Sequence, residues 1–196
     1  MKLIALTGGI GSGKSVVAHL LQVMGYQVYD CDSRARALMI HDESVRSHLI
    51  AEFGPDVYHA DGSLNRQQLS TVAFSDNDAR LRLNAIVHPA TARDIRRWAA
   101  SISADDAARF AFVETAILRT SGLDKIVDEV WHVTAPTDVR IQRVMARNGL
   151  SEQQVRDRMA AQSIEDVVAA GEQVIVNDNI TPVLPQVTRL LNTMSN

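Results

Sequence analysis

At 196 residues, with 46% hydrophobic and 22% charged residues, the chain has the size and composition of one large globular domain with room for a smaller insertion. Its net charge is −3, its 20 basic residues are dispersed and aromatics make up only 5%, which disfavours a general nucleic-acid binder, since such proteins carry a basic patch or stripe. The single cysteine, Cys31, excludes an internal disulfide and a cysteine-cluster zinc site. With no stretch reading as a membrane span or targeting segment, the expectation is a soluble protein of the reducing cytoplasm.

The first apolar run, KLIAL at Lys2 to Leu6, predicts a strand buried on both faces of a parallel sheet. Further on, SVVAHLLQVMG spaces Val16, Val17, Leu20, Leu21 and Met24 as on a helix, with Gly25 as its stop. The turn between them holds Gly8, Gly13, Lys14 and Ser15 in the pattern G-x-x-x-x-G-K-[ST], the phosphate-binding P-loop. Glycine is needed there because successive main-chain N–H groups must point into one concavity, in conformations that a Cβ would obstruct. The helix N-terminus adds partial positive charge, Lys14 reaches the β- and γ-phosphates, and the Ser15 hydroxyl can ligate Mg²⁺. The ligand implied is a nucleoside triphosphate, and the candidate binding segment is Gly8, Gly9, Ile10, Gly11, Ser12, Gly13, Lys14, Ser15 and Val16.

A second strand is predicted at YQVYD, Tyr26 to Asp30. From Ser33 to about Ser103 the pattern turns helical, with helices expected around Arg34 to Ile40, Ser44 to Phe53 and Arg66 to Phe74. A further one spans DNDARLRLNAIV, and Pro89 is placed to open another over ATARDIRRWAASI. Strands resume at RFAFVE (Arg109 to Glu114) and EVWHVTA (Glu129 to Ala135). A helix then opens at Pro136 and closes at Gly149, and Ser151 with Gln154 forms a capping-box start for the next. A last strand, QVIVN (Gln173 to Asn177), leads to a terminal helix from about Pro182 to Met194. The fold class expected is therefore α/β, a mostly parallel doubly wound sheet with a helical insertion, binding nucleotide at the carboxyl ends of its strands.

Beyond the loop, Asp30 and Asp32 lie where the second strand runs out. A carboxylate there can orient an acceptor hydroxyl and take its proton, which makes Asp32 a base candidate; spacing alone equally allows Asp32 to cap the helix that follows. Glu114 ends the third strand in the manner of a Walker-B acid that organises Mg²⁺ directly or through water, or it is a solvated strand-end acid. Arg140, Arg143 and Arg147 share one helix face, which could close over a nucleotide, although a charge row more often is a solvated face. In the insertion, nine arginines from Arg34 to Arg97 are nearly cancelled by eight acids. His88, beside Pro89, is a candidate substrate contact or a packing residue.

Taken in order, LTGGIGSGKS, DCDSRAR, FG, DGSLNRQQL, LNAIVHP, QRVMAR, and RMAAQ ahead of VIVN resemble the dephospho-coenzyme A kinase family over nearly the whole chain. The resemblance implies a P-loop kinase fold of the nucleoside triphosphate hydrolase type. Residues 1–32 and 105–196 would form its nucleotide-binding core, with a small lid at about 140–165, and residues 33–104 a helical domain for the acceptor. It further implies transfer of the ATP γ-phosphate to the ribose 3′-hydroxyl of dephospho-CoA with Mg²⁺. ATP and dephospho-CoA would be its partners, rather than nucleic acid or membrane. Carried over by position, Asp32 is the base, with Lys14 and Arg143 beside it in catalysis. Arg36 and His88 hold the acceptor, Arg143 and Arg147 fall on the lid helix, Asn177 joins the ATP site, and Ser15 and Glu114 serve the metal. Two departures stand out: Glu114 and Ala116 replace the usual Asp-x-Pro after the third strand, and Gly171-Glu172 replace Ala-Asp before the last. A kinase of another small hydroxyl acceptor is the alternative. A regulatory GTPase is disfavoured, because the sequence has no Asn-Lys-x-Asp element, Lys125 being preceded by Asp124.

Overall fold

The structure is a computed structural model and describes residues 1–73, 75–102 and 109–195. It divides into two compact units, one made of Met1–Tyr29 with Ile102–Asn196 and the other of Asp30–Ser101. The sequence-based helix end at Phe74, the insertion's end at Ser103 and the border at 104/105 lie outside the described residues.

The first unit is built on five strands, β1 (Lys2–Thr7), β2 (Gln27–Asp30), β3 (Phe110–Glu114), β4 (Glu129–Thr134) and β5 (Gln173–Val176), in the order β2-β3-β1-β4-β5. The pairs β1–β3, β1–β4 and β4–β5 are parallel. Period-2 alternation sends Ile4, Leu6, Phe110, Phe112, Trp131, Val133 and Ile175 to one face of the sheet. There they meet Val17, Ala18 and Leu21 of α1 (Lys14–Val23) and Val187, Leu190 and Leu191 of the terminal helix (Val183–Ser195). The Phe112 ring lies 5.1 Å from that of Trp131 and meets Tyr26 edge-on at 5.6 Å. Ala5, Ala111 and Val113, on the opposite face, are buried as well, which is why the strands read as unbroken apolar runs.

The second unit is helical: α2 (Cys31–His41), α3 (Glu43–Phe53), α4 (Arg66–Ala73) and α5 (Asn77–Ser101). They enclose a separate core of Leu38, Val45, Leu49, Val57, Tyr58, Leu69, Ala73 and Ala90. Tyr58 anchors it by donating its hydroxyl to Met39 O at 2.6 Å, while the Arg46 guanidinium stacks 4.1 Å over its ring.

One expectation is corrected here. Pro89 does not open a helix, because α5 runs unbroken through it. Proline has no N–H to give the Ala85 carbonyl, yet its ring lies on the exposed side and buried Ala90, Thr91, Asp94 and Ile95 continue the inward face that Ala79 begins. Burial of that stripe outweighs the lost bond. Pro89→Ala is accordingly expected to stabilise the chain by about 2–2.5 kcal/mol, since the intrinsic helix penalty of proline, about 3 kcal/mol, is offset in part by its stiffening of the unfolded chain, about 0.4–1 kcal/mol. Urea unfolding followed by circular dichroism checks this, and a lower midpoint would mean that the proline ring itself contributes to packing.

Among the described residues, no helix is long and apolar enough to cross a membrane.

Candidate active site

The turn from β1 into α1 is shaped by its glycines. Gly8, Gly11 and Gly13 have φ of 142°, 79° and 91°, in the region closed to most side chains. Each is also crowded. A Cβ on Gly8 would overlap the Val133 carbonyl, one on Gly11 the main chain of Arg140, and one on Gly13 the Asn177 amide. The Ser12 amide donates to Gly9 O at 3.2 Å and closes the turn. Gly13, the N-cap of α1, offers no side-chain cap, and no acid stands in the helix's first turn. Lys14 Nζ folds back to donate to Gly8 O at 2.7 Å and Gly9 O at 3.3 Å. The result is an uncapped helix end, a lysine and a bare main-chain concavity in one place, the arrangement that takes a polyphosphate. Ser15 and Val16, in the first turn of α1, are exposed. Glu114 closes β3 in register with Leu6, so it stands at the loop-bearing edge of the sheet.

The arginine row on α6 (Thr137–Asn148) is not the solvated face that its spacing suggested. Arg140 is 7% exposed and donates from Nε to Ile10 O at 2.8 Å. Arg143 spans the loop base, its Nη1 3.4 Å from Gly11 O and Ser12 O and its Nη2 donating to Asn177 Oδ1 at 3.3 Å and Asn179 Oδ1 at 2.5 Å. Asn177 in turn donates from Nδ2 to Ser12 O at 3.0 Å. Arg147, a turn further on, is exposed and donates to its neighbour Asn148. Gly149, left-handed at φ 64°, ends α6, and the predicted capping box of Ser151 and Gln154 starts α7 (Glu152–Ala161).

A buried polar network, which no sequence motif signals, lies beside the loop. Glu165 is wholly buried and accepts from the Thr120 amide (2.9 Å), the Thr120 hydroxyl (2.8 Å) and the Arg119 amide (3.2 Å). The Arg119 guanidinium pairs with Glu172, whose other oxygen lies 3.5 Å from His132 Nδ1. Glu172, one of the two departures from the family pattern, is thus fixed by an arginine rather than left to solvent. His132 sits on β4 opposite Thr7 and is 2% exposed. Burial pushes its pKa below the usual 6.5, against the Glu172 carboxylate, which pulls it upward. The unfolded chain therefore takes up this proton first as pH falls below about 6.5, so stability declines with acidification until the folded-state pKa is reached. His88, also lowered by burial, adds a decline of the same sign. His132→Gln should flatten part of the acid-side loss in melting temperature between about pH 7 and pH 5, and a variant with wild-type pH dependence would contradict that assignment.

In the helical unit, the capping alternative for Asp32 is corrected. Asp30 is the N-cap of α2, its Oδ1 accepting from the amides of Asp32 (3.0 Å) and Ser33 (3.2 Å) and its Oδ2 from the Ser33 hydroxyl. Asp32 stands in the first helical turn, exposed, and among the described residues its carboxylate takes no hydrogen bond. Arg36 is likewise exposed, whereas Arg34 forks onto Asp94 at 2.7 and 3.0 Å. His88 is half-buried in the middle of α5, not at a helix start.

A parallel sheet ordered 2-3-1-4-5, a glycine nest between its first strand and first helix, and arginines of a later helix on that nest define a P-loop kinase fold. Comparison with known proteins narrows this further. The dephospho-CoA kinase family model matches residues 2–182. A Porphyromonas gingivalis dephospho-CoA kinase is 38% identical over 196 residues, covering 99% of this chain and 95% of that protein. A solved Thermus thermophilus structure superposes with a TM-score of 0.77 at 32% identity, covering 98% of this chain and 95% of the other. The Campylobacter jejuni dephospho-CoA kinase does so at 0.69 and 18% identity, with the same coverage, which speaks for the fold alone. The chain belongs to the dephospho-CoA kinase family.

Proposed function

We propose that this chain transfers the γ-phosphate of ATP to the ribose 3′-hydroxyl of dephospho-CoA, giving coenzyme A and ADP, as the last step of coenzyme A synthesis. The observation that carries the reading is the glycine cradle of Gly8 to Ser15, onto which Lys14 and Arg143 both converge. The main-chain amides of that segment, Gly9, Ile10 and Val16 included, hold the polyphosphate, and Lys14 moves from the loop carbonyls to the β- and γ-phosphate oxygens. Glycine at Gly8, Gly11 and Gly13 lets the loop pack directly on Val133, Arg140 and Asn177, which back the main chain that would receive the phosphates.

The Ser15 hydroxyl and, through water, Glu114 would hold Mg²⁺, which would supply neutralising charge to the phosphate oxygens. Asp32 orients the 3′-hydroxyl and accepts its proton as the oxygen attacks phosphorus in line; the bond to the β-phosphate oxygen breaks and ADP leaves. Arg143 and Arg147, on the α6–α7 hairpin that serves as lid, balance the transferring charge, while Asn177 holds the base of the nucleotide site. Arg36, His88 and the rest of the helical unit receive the acceptor. The lone, buried thiol of Cys31 suits a cytoplasmic setting.

An acceptor panel with MgATP tests the assignment. Dephospho-CoA should be consumed at the lowest concentration, and faster turnover of a nucleoside or a sugar acid would move the chain to another acceptor.

A further inference from the structure

Arg140 lies one turn before Arg143 on α6 and is held differently. Its Nε donates to Ile10 O at 2.8 Å, and its Nη2 donates to both carboxylate oxygens of Asp166, at 2.9 and 3.1 Å. The planar guanidinium fixes these directions relative to one another. Asp166 ends the 3-10 turn Ser163–Asp166 that follows α7, and its neighbour Glu165 is locked by the Arg119 and Thr120 amides. The ion pair thus has a rigid seat on one side and the loop tip on the other.

The loop is shaped around this pair. A Cβ on Gly9 would overlap the Asp166 carboxylate and the Arg140 guanidinium, although Gly9 is not among the glycines with positive φ. Proximity of the ion pair, not backbone conformation, is what excludes a side chain there. Gly11 also presses on the Arg140 main chain, where a Cβ would lie 2.6 Å from the carbonyl oxygen. The side chain of Ile10, between them, packs with Ile141, Val144, Val155 and Met159, the apolar seam of α6 and α7. Both the carbonyl and the side chain of Ile10 are therefore held by the α6–α7 hairpin and its tail.

We propose that Arg140 and Asp166 are positioning residues: the pair sets the tip of the P-loop through the Ile10 carbonyl and ties nucleotide affinity to the hairpin. With Asp166 neutralised, the buried guanidinium loses its counter-charge and is drawn toward other acceptors, so the Ile10 carbonyl and the amides that follow it lose their fixed direction. Neither residue touches the acceptor in this scheme. The inference rests on the loop holding a nucleoside triphosphate.

The test is steady-state kinetics of Asp166→Asn, Arg140→Gln and the double variant, varying ATP and dephospho-CoA separately, with melting curves alongside. Asp166→Asn should raise the KM for ATP about tenfold and leave that for the acceptor within about twofold. Arg140→Gln should raise the KM for ATP more, and the double variant should be no worse than Arg140→Gln, because the two act as one unit. A lowered melting temperature with an unchanged KM for ATP, an equal rise in both KM values, or additive effects would overturn the inference. Should Arg140→Gln fail to fold, the near-isosteric Asp166→Asn decides the matter alone. A wild-type chain without turnover would sink the proposed reaction and not this inference, which is then read from the Kd of MgADP for the same proteins.

Discussion

Replacing Asp32 with asparagine is expected to lower kcat by about 10²- to 10⁴-fold, the usual worth of a positioned general base, and to change the KM for ATP by less than about threefold. The carboxylate is suited to proton transfer because Asp30, two residues earlier, has taken over the capping of α2, leaving both Asp32 oxygens without a described hydrogen-bond partner. Asparagine keeps the shape and the helix start but cannot accept a proton at neutral pH. Its cost in stability is small, about 0.3–1 kcal/mol for an acid lost from a helix N-terminal turn. A coupled ADP-release assay at saturating MgATP reads the effect. Near-normal kcat would remove Asp32 from the base role.

Lys14→Ala should cost about 10²- to 10³-fold in kcat and weaken ATP as well, because one fixed cation on the transferring phosphate is lost from a site where main-chain dipoles, the α6 arginines and the metal would supply the rest of the positive field. The fold should tolerate the change. Lys14 begins α1, where alanine is an excellent helix former, and its ammonium donates to the Gly8 and Gly9 carbonyls of the adjoining loop, contacts local to the site rather than to the core. A folded variant with low kcat is the expected outcome in melting and kinetic runs together. Wild-type kcat in that variant would mean that the loop does not carry the phosphate being transferred.

Much of this was legible in the sequence because it is local. The P-loop's glycines, the strand before it and the helix after it lie within one short segment, so each constrains the next. The capping box at Ser151 and the stop at Gly149 are equally local and appear where they were expected. The α6 arginines show the boundary of that legibility. Their spacing establishes that they share a face, but only the fold decides that Arg140 and Arg143 turn onto the loop while Arg147 stays in solvent. Asp166 lies 26 residues from Arg140, and Glu165 lies 45 from the Thr120 that it caps. Such pairs leave no periodic trace. Pro89 misled for the opposite reason: a strong local breaker was overruled by the inward stripe on both sides of it.

The most direct measurement is of the product itself. With MgATP and dephospho-CoA, mass spectrometry and ³¹P NMR should find coenzyme A formed in step with ADP, carrying the new phosphomonoester on the ribose 3′ oxygen. ATP hydrolysis to free phosphate with the acceptor unchanged, or phosphate placed on a different acceptor atom, would contradict the account.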